Sequence, residues 1–184
     1  MTTIPEPISA SSDTDSALQL KLKAAGPLPR HIAIIMDGDR RWADKKGLKR
    51  TEGHRHGRET AREIVRTCGE LQIDVLTLYT FSTENWTRPR LEVEALMQYV
   101  EHSLRNETPE LNDNNVRLNA IGRTQDLPGR VQRALRDALA ATADNDGLLL
   151  NLALNYGGRT ELVDACRQLA QQVQEGNLSV EDID

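Results

Sequence analysis

The chain has 184 residues, 38% hydrophobic and 28% charged, with a formal net charge of −5. That length suits one domain with a single sizeable core. No stretch approaches the roughly 18 uninterrupted apolar residues of a membrane span, and the first 29 residues lack the apolar centre of a signal peptide, which argues against export.

In chain order, residues 1–29 are rich in Ser, Asp and Thr and are expected to form a disordered or weakly ordered leader. A short helix at about 16–24 is expected there, closed by Pro27 and Pro29. From His31 onward, apolar runs at 32–36, 75–81, 116–121 and 148–154 predict buried strands. Helical patterns at about 53–71, 91–105, 127–142 and 160–174 lie between and after them. Runs apolar on both faces, separated by amphipathic helices, predict an α/β fold with a mostly parallel central sheet flanked by helices. Residues 30–184 are expected to form that domain. Cys68 and Cys166 sit inside helical patterns without metal-type spacing, as free thiols of a reducing cytoplasm would.

The charge is unevenly spread. Residues 30–62 carry ten Lys or Arg against five Asp or Glu, so this segment is basic in an otherwise acidic chain. The imbalance points to a local anionic ligand, not to nucleic acid, although a solvated basic helix face explains the charge alone equally well.

Chemistry collects where strands are expected to end. The first apolar run stops at Asp37-Gly38, followed by Asp39, Arg40, Arg41 and Trp42. Ligands of open α/β sheets bind outside the carboxyl ends of the strands. A carboxylate there can hold a divalent cation, Gly38 lets a ligand approach the backbone, and arginines fork onto phosphate oxygens. Alone, Asp37 reads as a turn or cap aspartate; with Gly38, Arg40 and Arg41 beside it, a metal-assisted diphosphate site is the stronger reading. Arg50 and His54 lie where the first long helix begins, and a helix N-terminus attracts anions. Arg55 and Arg58 read better as surface residues. The second run leads into Ser82-Thr83-Glu84-Asn85-Trp86-Thr87-Arg88-Pro89, where Asn85 can orient or accept a proton and Trp86 and Arg88 supply an apolar wall and a cation. The fourth ends in Asn155-Tyr-Gly-Gly-Arg159, which can line a site or only turn the chain.

Together, His31-Ile-Ala-Ile-Ile-Met-Asp-Gly-x-x-Arg-Trp42, Gly53-His54, Leu78-Tyr-x-Phe-Ser-x-Glu-Asn-Trp-x-Arg-Pro89 and Asn155-Tyr-Gly-Gly-Arg159 resemble the cis-prenyltransferase family, of the bacterial undecaprenyl diphosphate synthase type. The resemblance runs from Pro29 to about residue 175. It implies Mg²⁺-dependent condensation of isopentenyl diphosphate with an allylic diphosphate of the farnesyl class, giving a long cis-polyprenyl diphosphate as cell-wall carrier lipid. Carried over residue by residue, Asp37 is implied as the Mg²⁺ ligand and catalytic carboxylate, and Asn85 as the proton acceptor. Gly38, Arg40, Arg41, Arg50 and His54 correspond to the allylic-diphosphate pocket, together with Asp39 between them. Trp42, Ser82, Thr83, Glu84, Trp86 and Arg88 correspond to substrate contacts. An apolar tunnel lined by Leu91, Val93, Ala95, Leu96 and Val100 is expected for the product tail; ordinary core explains those residues equally well. The resemblance also implies a homodimer for the full-length form; the leader and the free thiols point to a cytoplasmic location, and with no anchor found any membrane contact is expected to be peripheral.

Two departures from the family pattern bear on activity. Asp39 stands where the family has Asn; two unit charges about 4 Å apart interact by about 4 kcal/mol at an effective dielectric near 20, so a second carboxylate near a diphosphate is expected to lower activity. The family's later Arg/Ser motif for isopentenyl diphosphate, a further metal carboxylate and much of the dimer surface have no counterpart in these 184 residues, so weak binding and poor elongation are expected. A non-catalytic homologue that binds a prenyl diphosphate or a partner subunit is the alternative reading.

Overall fold

The computed structural model of the chain describes residues 12–183; the first eleven residues of the expected leader lie outside them. Within that leader, Ser12–Ala24 form α1, whose Gln19 amide donates to Glu70. Four strands follow, β1 (His31–Ile35), β2 (Val75–Ser82), β3 (Arg117–Ile121) and β4 (Leu149–Tyr156). They form one sheet in the order β1-β2-β4-β3, with every pair parallel. The helices are α2 (Asp39–Lys46), α3 (Arg50–Glu70), α4 (Arg90–Asp113), α5 (Gly129–Ala141) and α6 (Gly158–Gln174). The fold is therefore the expected α/β arrangement, a parallel sheet flanked by helices.

Register decides which residues share the core. Ile32, Leu76, Leu150 and Leu118 lie in one row across the four strands, and Ile34, Leu78, Leu152 and Ala120 in the next. Side chains alternate along a strand, so these rows share one face. Ile64 and Val65 of α3, Met97, Val100 and Leu104 of α4, and Val131, Ala134 and Leu135 of α5 pack in the same core. The opposite face is more polar: Thr77, Asn151 and Asn119 lie side by side on it, with Asn119 Nδ2 donating to Asn151 Oδ1 at 2.8 Å. There Ile35 is 75% exposed, and α6 buries none of its residues.

Two helices differ from the sequence expectation. The eight-residue α2 was not anticipated, because its sequence Asp-Arg-Arg-Trp-Ala-Asp-Lys-Lys has no apolar period. It forms between Gly38 (φ 124°) and Gly47 (φ 66°), two conformations that favour glycine, and buries Ala43 completely. α4 runs past the expected end at 105 and continues through Pro109 to Asp113. Proline removes one ladder bond and strains the turn before it, but Leu111 beyond it packs against the core, and that contact keeps the helix running.

The α5–β3 junction rests on one buried hydroxyl. Thr142, fully buried at the C-terminal end of α5, accepts the Leu118 N–H at 3.1 Å and donates to the Ala138 carbonyl at 3.0 Å. Thr142→Val keeps the shape but leaves the Leu118 N–H unpaired, which costs about 1–3 kcal/mol. Chemical denaturation should show an unfolding free energy lowered by that amount, through a lower midpoint with an unchanged slope, while Thr142→Ser should retain the hydrogen bonds and lose less.

Candidate active site

The carboxyl ends of β1 and β2 open onto a cavity of about 880 Å³ lying between α3, α4 and the core face of the sheet. Its mouth is lined by Asp37, Gly38, Asp39, Arg40, Arg41, His54, Asn85 and Arg88, and its interior by apolar residues including Leu78, Leu96, Val100, Leu104, Leu152 and Leu154. Three separate stretches of sequence thus supply one polar rim over one apolar channel.

The Asp37 carboxylate stands at the tip of β1, two-thirds exposed, with Oδ2 receiving a hydrogen bond from Arg41 Nη2 at 3.0 Å. The pair spans one helical turn and both side chains face solvent. An exposed pair of this kind contributes about 0–1 kcal/mol, so either partner is easily released to a ligand. Gly38 makes the sharp turn that lets α2 start immediately afterwards, bringing Arg40 and Arg41 back to the mouth.

Asp39 takes a different direction. Its carboxylate lies against Gly57 and 3.4 Å from His54 Nδ1 on α3. A Cβ on Gly57 would stand 2.5 Å from Asp39 Oδ2, and one on Gly53 the same distance from the Asp39 carbonyl oxygen. Gly53 and Gly57 are four apart, hence on one face of α3, and their missing side chains let the start of α2 dock closely there. His54 is placed by the same contact, and its carbonyl accepts the Tyr99 hydroxyl of α4 at 2.9 Å.

After β2, residues Thr83–Thr87 form a 3₁₀ turn. Asn85 Oδ1 accepts the Ser82 N–H at 3.2 Å while the Ser82 side chain accepts the Asn85 N–H, a reciprocal box that fixes the amide. Side chains three apart stack in a 3₁₀ turn, so Asn85 and Arg88 emerge together toward the cavity, and Arg88 Nη1 is braced by Glu92 at 3.1 Å.

Not every residue named from the sequence reaches the cavity. Trp42 packs its ring 4.6 Å from that of His56 on the outer side of α2 and α3. Ser82 and Thr83 shape the loop. Glu84 is exposed, its carboxyl held below the usual range by backbone and hydroxyl hydrogen bonds. Trp86 turns away, against the edge of Phe81 and onto Asn155. Arg50 begins α3, but its side chain lies outside the described ones. Of the residues expected along the channel, Ala95, Leu96 and Val100 line it, whereas Leu91 points into solvent and Val93 into the core. Leu91 lies on the face of α4 opposite Val100, nine residues on, whereas Val93, seven before Val100, shares its face and packs in the core two turns nearer the start of the helix.

The channel also contains polar residues that the sequence reading placed elsewhere. Arg58, read as a surface cation, lines it and stacks 5.7 Å from the Tyr99 ring centre. Arg62 bridges to Glu110 at 3.0 Å and lies 3.8 Å from Glu107. Burial pushes the Glu107 carboxyl up and the Tyr99 hydroxyl up to about 12. The period-four series His54, Arg58, Arg62 on α3 was the available signal. Arg55, by contrast, is a surface residue paired with Glu52 and Glu59, as expected.

Comparison with known proteins agrees with this geometry. The family model described as "Putative undecaprenyl diphosphate synthase" matches residues 35–184. A protein named isoprenyl transferase from Bacillus subtilis is 50% identical over 159 residues, covering 86% of this chain and 61% of the relative; that of Clostridium perfringens is 49% identical over 156 residues, covering 85% and 62%. The chain therefore spans about three fifths of the length of these relatives. Among solved structures, lavandulyl diphosphate synthase from Lavandula x intermedia, crystallised with dimethylallyl diphosphate, aligns with a TM-score of 0.79 at 37% identity. A probable undecaprenyl diphosphate synthase from Campylobacter jejuni aligns at 0.66 and 29%; both alignments cover 85% of this chain and 67% of the other. With the family profile running through both strand-end loops and the whole channel, the chain belongs to the cis-prenyltransferase family.

Proposed function

We propose that this site condenses isopentenyl diphosphate with an allylic diphosphate of the farnesyl class to give a longer cis-prenyl diphosphate. The observation that carries the reading is the joining of a carboxylate–arginine rim to an apolar channel, which matches the two halves of a prenyl diphosphate. The names of the relatives supply the reaction class.

The donor set suits Mg²⁺. Asp37 is a hard, exposed oxygen ligand of which Arg41 occupies only Oδ2. Among the described residues no cluster of three or more candidate ligands forms a closed cage. A site with one carboxylate is the kind that substrate phosphates and water complete. Bound there, Mg²⁺ would neutralise charge on the departing diphosphate. Arg40 and Arg41 take the phosphate oxygens, and His54 at the N-terminal end of α3 adds a donor. Asn85, fixed by its Ser82 box, offers its amide oxygen where a proton leaves the condensing carbon, with Arg88 beside it. The apolar wall from Leu78 to Leu154 holds the hydrocarbon and excludes water. Carrier-lipid use of the product, a cytoplasmic site of action with peripheral membrane contact, and a homodimeric full-length form belong to the same proposal. They are supported by the family, and no helix among the described residues is long and apolar enough to cross a membrane.

Incubation with labelled isopentenyl diphosphate, farnesyl diphosphate and Mg²⁺ tests the reading. Label should enter a longer prenyl diphosphate slowly, in keeping with the poor elongation expected above, and Asp37→Asn should lower that transfer by about 10²–10³-fold, the size seen when one preorganised electrostatic group is removed. Mg²⁺-dependent binding of farnesyl diphosphate with no transfer would favour the non-catalytic reading. No binding at all would sink both.

The Asp39 charge at the rim predicts a second result. Asp39→Asn keeps an acceptor for His54 and removes one negative charge from the mouth, so transfer, or binding of the allylic diphosphate, should increase several-fold over the native chain. Equal or weaker binding would contradict the role given to this charge.

Glu107 gives a stability prediction in the channel. Its folded pKa is raised by burial, so the folded state holds its proton at pH values where the unfolded chain has lost it. Stability on this account falls as pH rises from the unfolded carboxyl value, about 4.3, through the folded one. Thermal unfolding against pH should show Glu107→Gln lacking that decline, with its largest gain on the neutral side.

A further inference from the structure

The strand-end segment Asn155-Tyr-Gly-Gly-Arg159 contributes no residue to the cavity lining, yet its first residue is unusual. Asn155 is 4% exposed and adopts φ 51°, a left-handed conformation that glycine takes freely and, among other residues, Asn tolerates best. Both ends of its amide are used. Oδ1 accepts the Trp86 indole N–H at 2.7 Å, and Nδ2 donates to the Arg123 carbonyl at 3.0 Å. Its own carbonyl accepts the Arg123 N–H at 3.3 Å. One side chain therefore ties the loop after β2 to the segment after β3 from the end of β4.

A second contact lies two residues on. Gly157 sits directly under Thr83, so close that a Cβ there would collide with the Thr83 hydroxyl. The 3₁₀ turn of residues Thr83–Thr87 is thus seated at both ends, by Gly157 under its first residue and by Asn155 on its fourth. Seating Trp86 fixes the rotation of the whole turn. With the indole held against Phe81 and Asn155, Asn85 and Arg88 are left facing the cavity.

We propose that Asn155 is a positioning residue of the site, which aims Asn85 and Arg88 at the diphosphate by holding the Trp86 indole. This rests on the function proposed above for its consequence, though not for its geometry. A residue needed only to turn the chain requires the left-handed conformation and no amide, and glycine would serve. The amide matters because Asn155, 4% exposed, makes both hydrogen bonds from a buried position, so without it the Trp86 N–H and the Arg123 carbonyl lose the partner that joins them.

Two variants separate positioning from turning. Asn155→Gly retains the backbone conformation and deletes the amide; Trp86→Phe retains the ring against Phe81 and deletes the donor. In ¹⁵N-labelled protein, both should move and broaden the backbone resonances of Asn85 and Arg88 while those of Leu118 and Val131 in the core stay in place. Both should weaken binding of inorganic pyrophosphate with Mg²⁺ by several-fold, and the double variant should bind no worse than the poorer single one, since the two changes remove the same bond. Unmoved Asn85 and Arg88 resonances, or losses that add in the double variant, would overturn the proposal. If Asn155→Gly does not fold, the Trp86→Phe spectrum decides alone. A native chain that fails to bind pyrophosphate would refute the diphosphate reading, while the resonances still decide the role of Asn155.

Discussion

Parallel pairing of β1 and β4 on either side of β2 brings three distant stretches of sequence to one edge. In a parallel sheet every strand delivers its carboxyl end to the same side, so Asp37, Asn85 and Asn155 meet there although 118 positions separate the first from the last. Were any of these strands reversed, its end would lie at the far side of the sheet and the rim would lose a component. Everything chemical in the molecule depends on this common polarity, which crossover helices enforce because parallel strands cannot be joined by tight hairpins.

The same helices create the channel. α3 and α4 both descend from the rim, yet they are joined mainly by polar bridges: Tyr99 to the His54 carbonyl, and Arg62 to Glu107 and Glu110. The space between them is left to the sheet's apolar rows, producing a cavity and not a filled core. A void of this kind forfeits packing contacts that a core would supply. It is therefore a feature that stability alone does not favour, and an apolar ligand would recover those contacts. At the mouth, the close docking of α2 on Gly53 and Gly57 sets Asp39 against α3 and leaves Asp37 and Arg41 open to solvent. Two carboxylates two residues apart thus acquire different surroundings: one stands open to solvent at the mouth, the other is braced against a histidine.

Much of the rim was legible in the sequence, since its residue types have a direct physical signature. An apolar run that stops at Asp-Gly and continues into arginines marks a strand end with anion chemistry, and the continuous apolar runs and helical patterns gave the four strands and five of the six helices among the described residues. Side-chain direction was less legible. Trp42 and Trp86 flank the phosphate-type residues in sequence, and both were assigned to substrate; one stacks on His56 and the other on Phe81 and Asn155. In a helix or a 3₁₀ turn the next residue points about 100–120° away, so adjacency in sequence does not mean adjacency at a ligand. Leu91 failed as a channel residue for the same geometric reason, Val93 because it packs in the core two turns before Val100 on the same face, and Arg58 was missed although its spacing from His54 is one helical turn.

The sequence by itself determined the composition of the site and the class of the fold: where the strands run, that they pair in parallel, and that acid, amide and guanidinium groups follow their ends, while β1, read as a buried strand, has no buried residue. Those properties are local, written in periodicity and in residue chemistry. Only the tertiary structure decided that α2 forms at all, that Asp39 leans on Gly57, and that Asn155 joins three strand ends without touching the cavity. Each of these depends on contacts between segments far apart in the chain, where a missing side chain in one element makes room for another, and no local pattern contains that information.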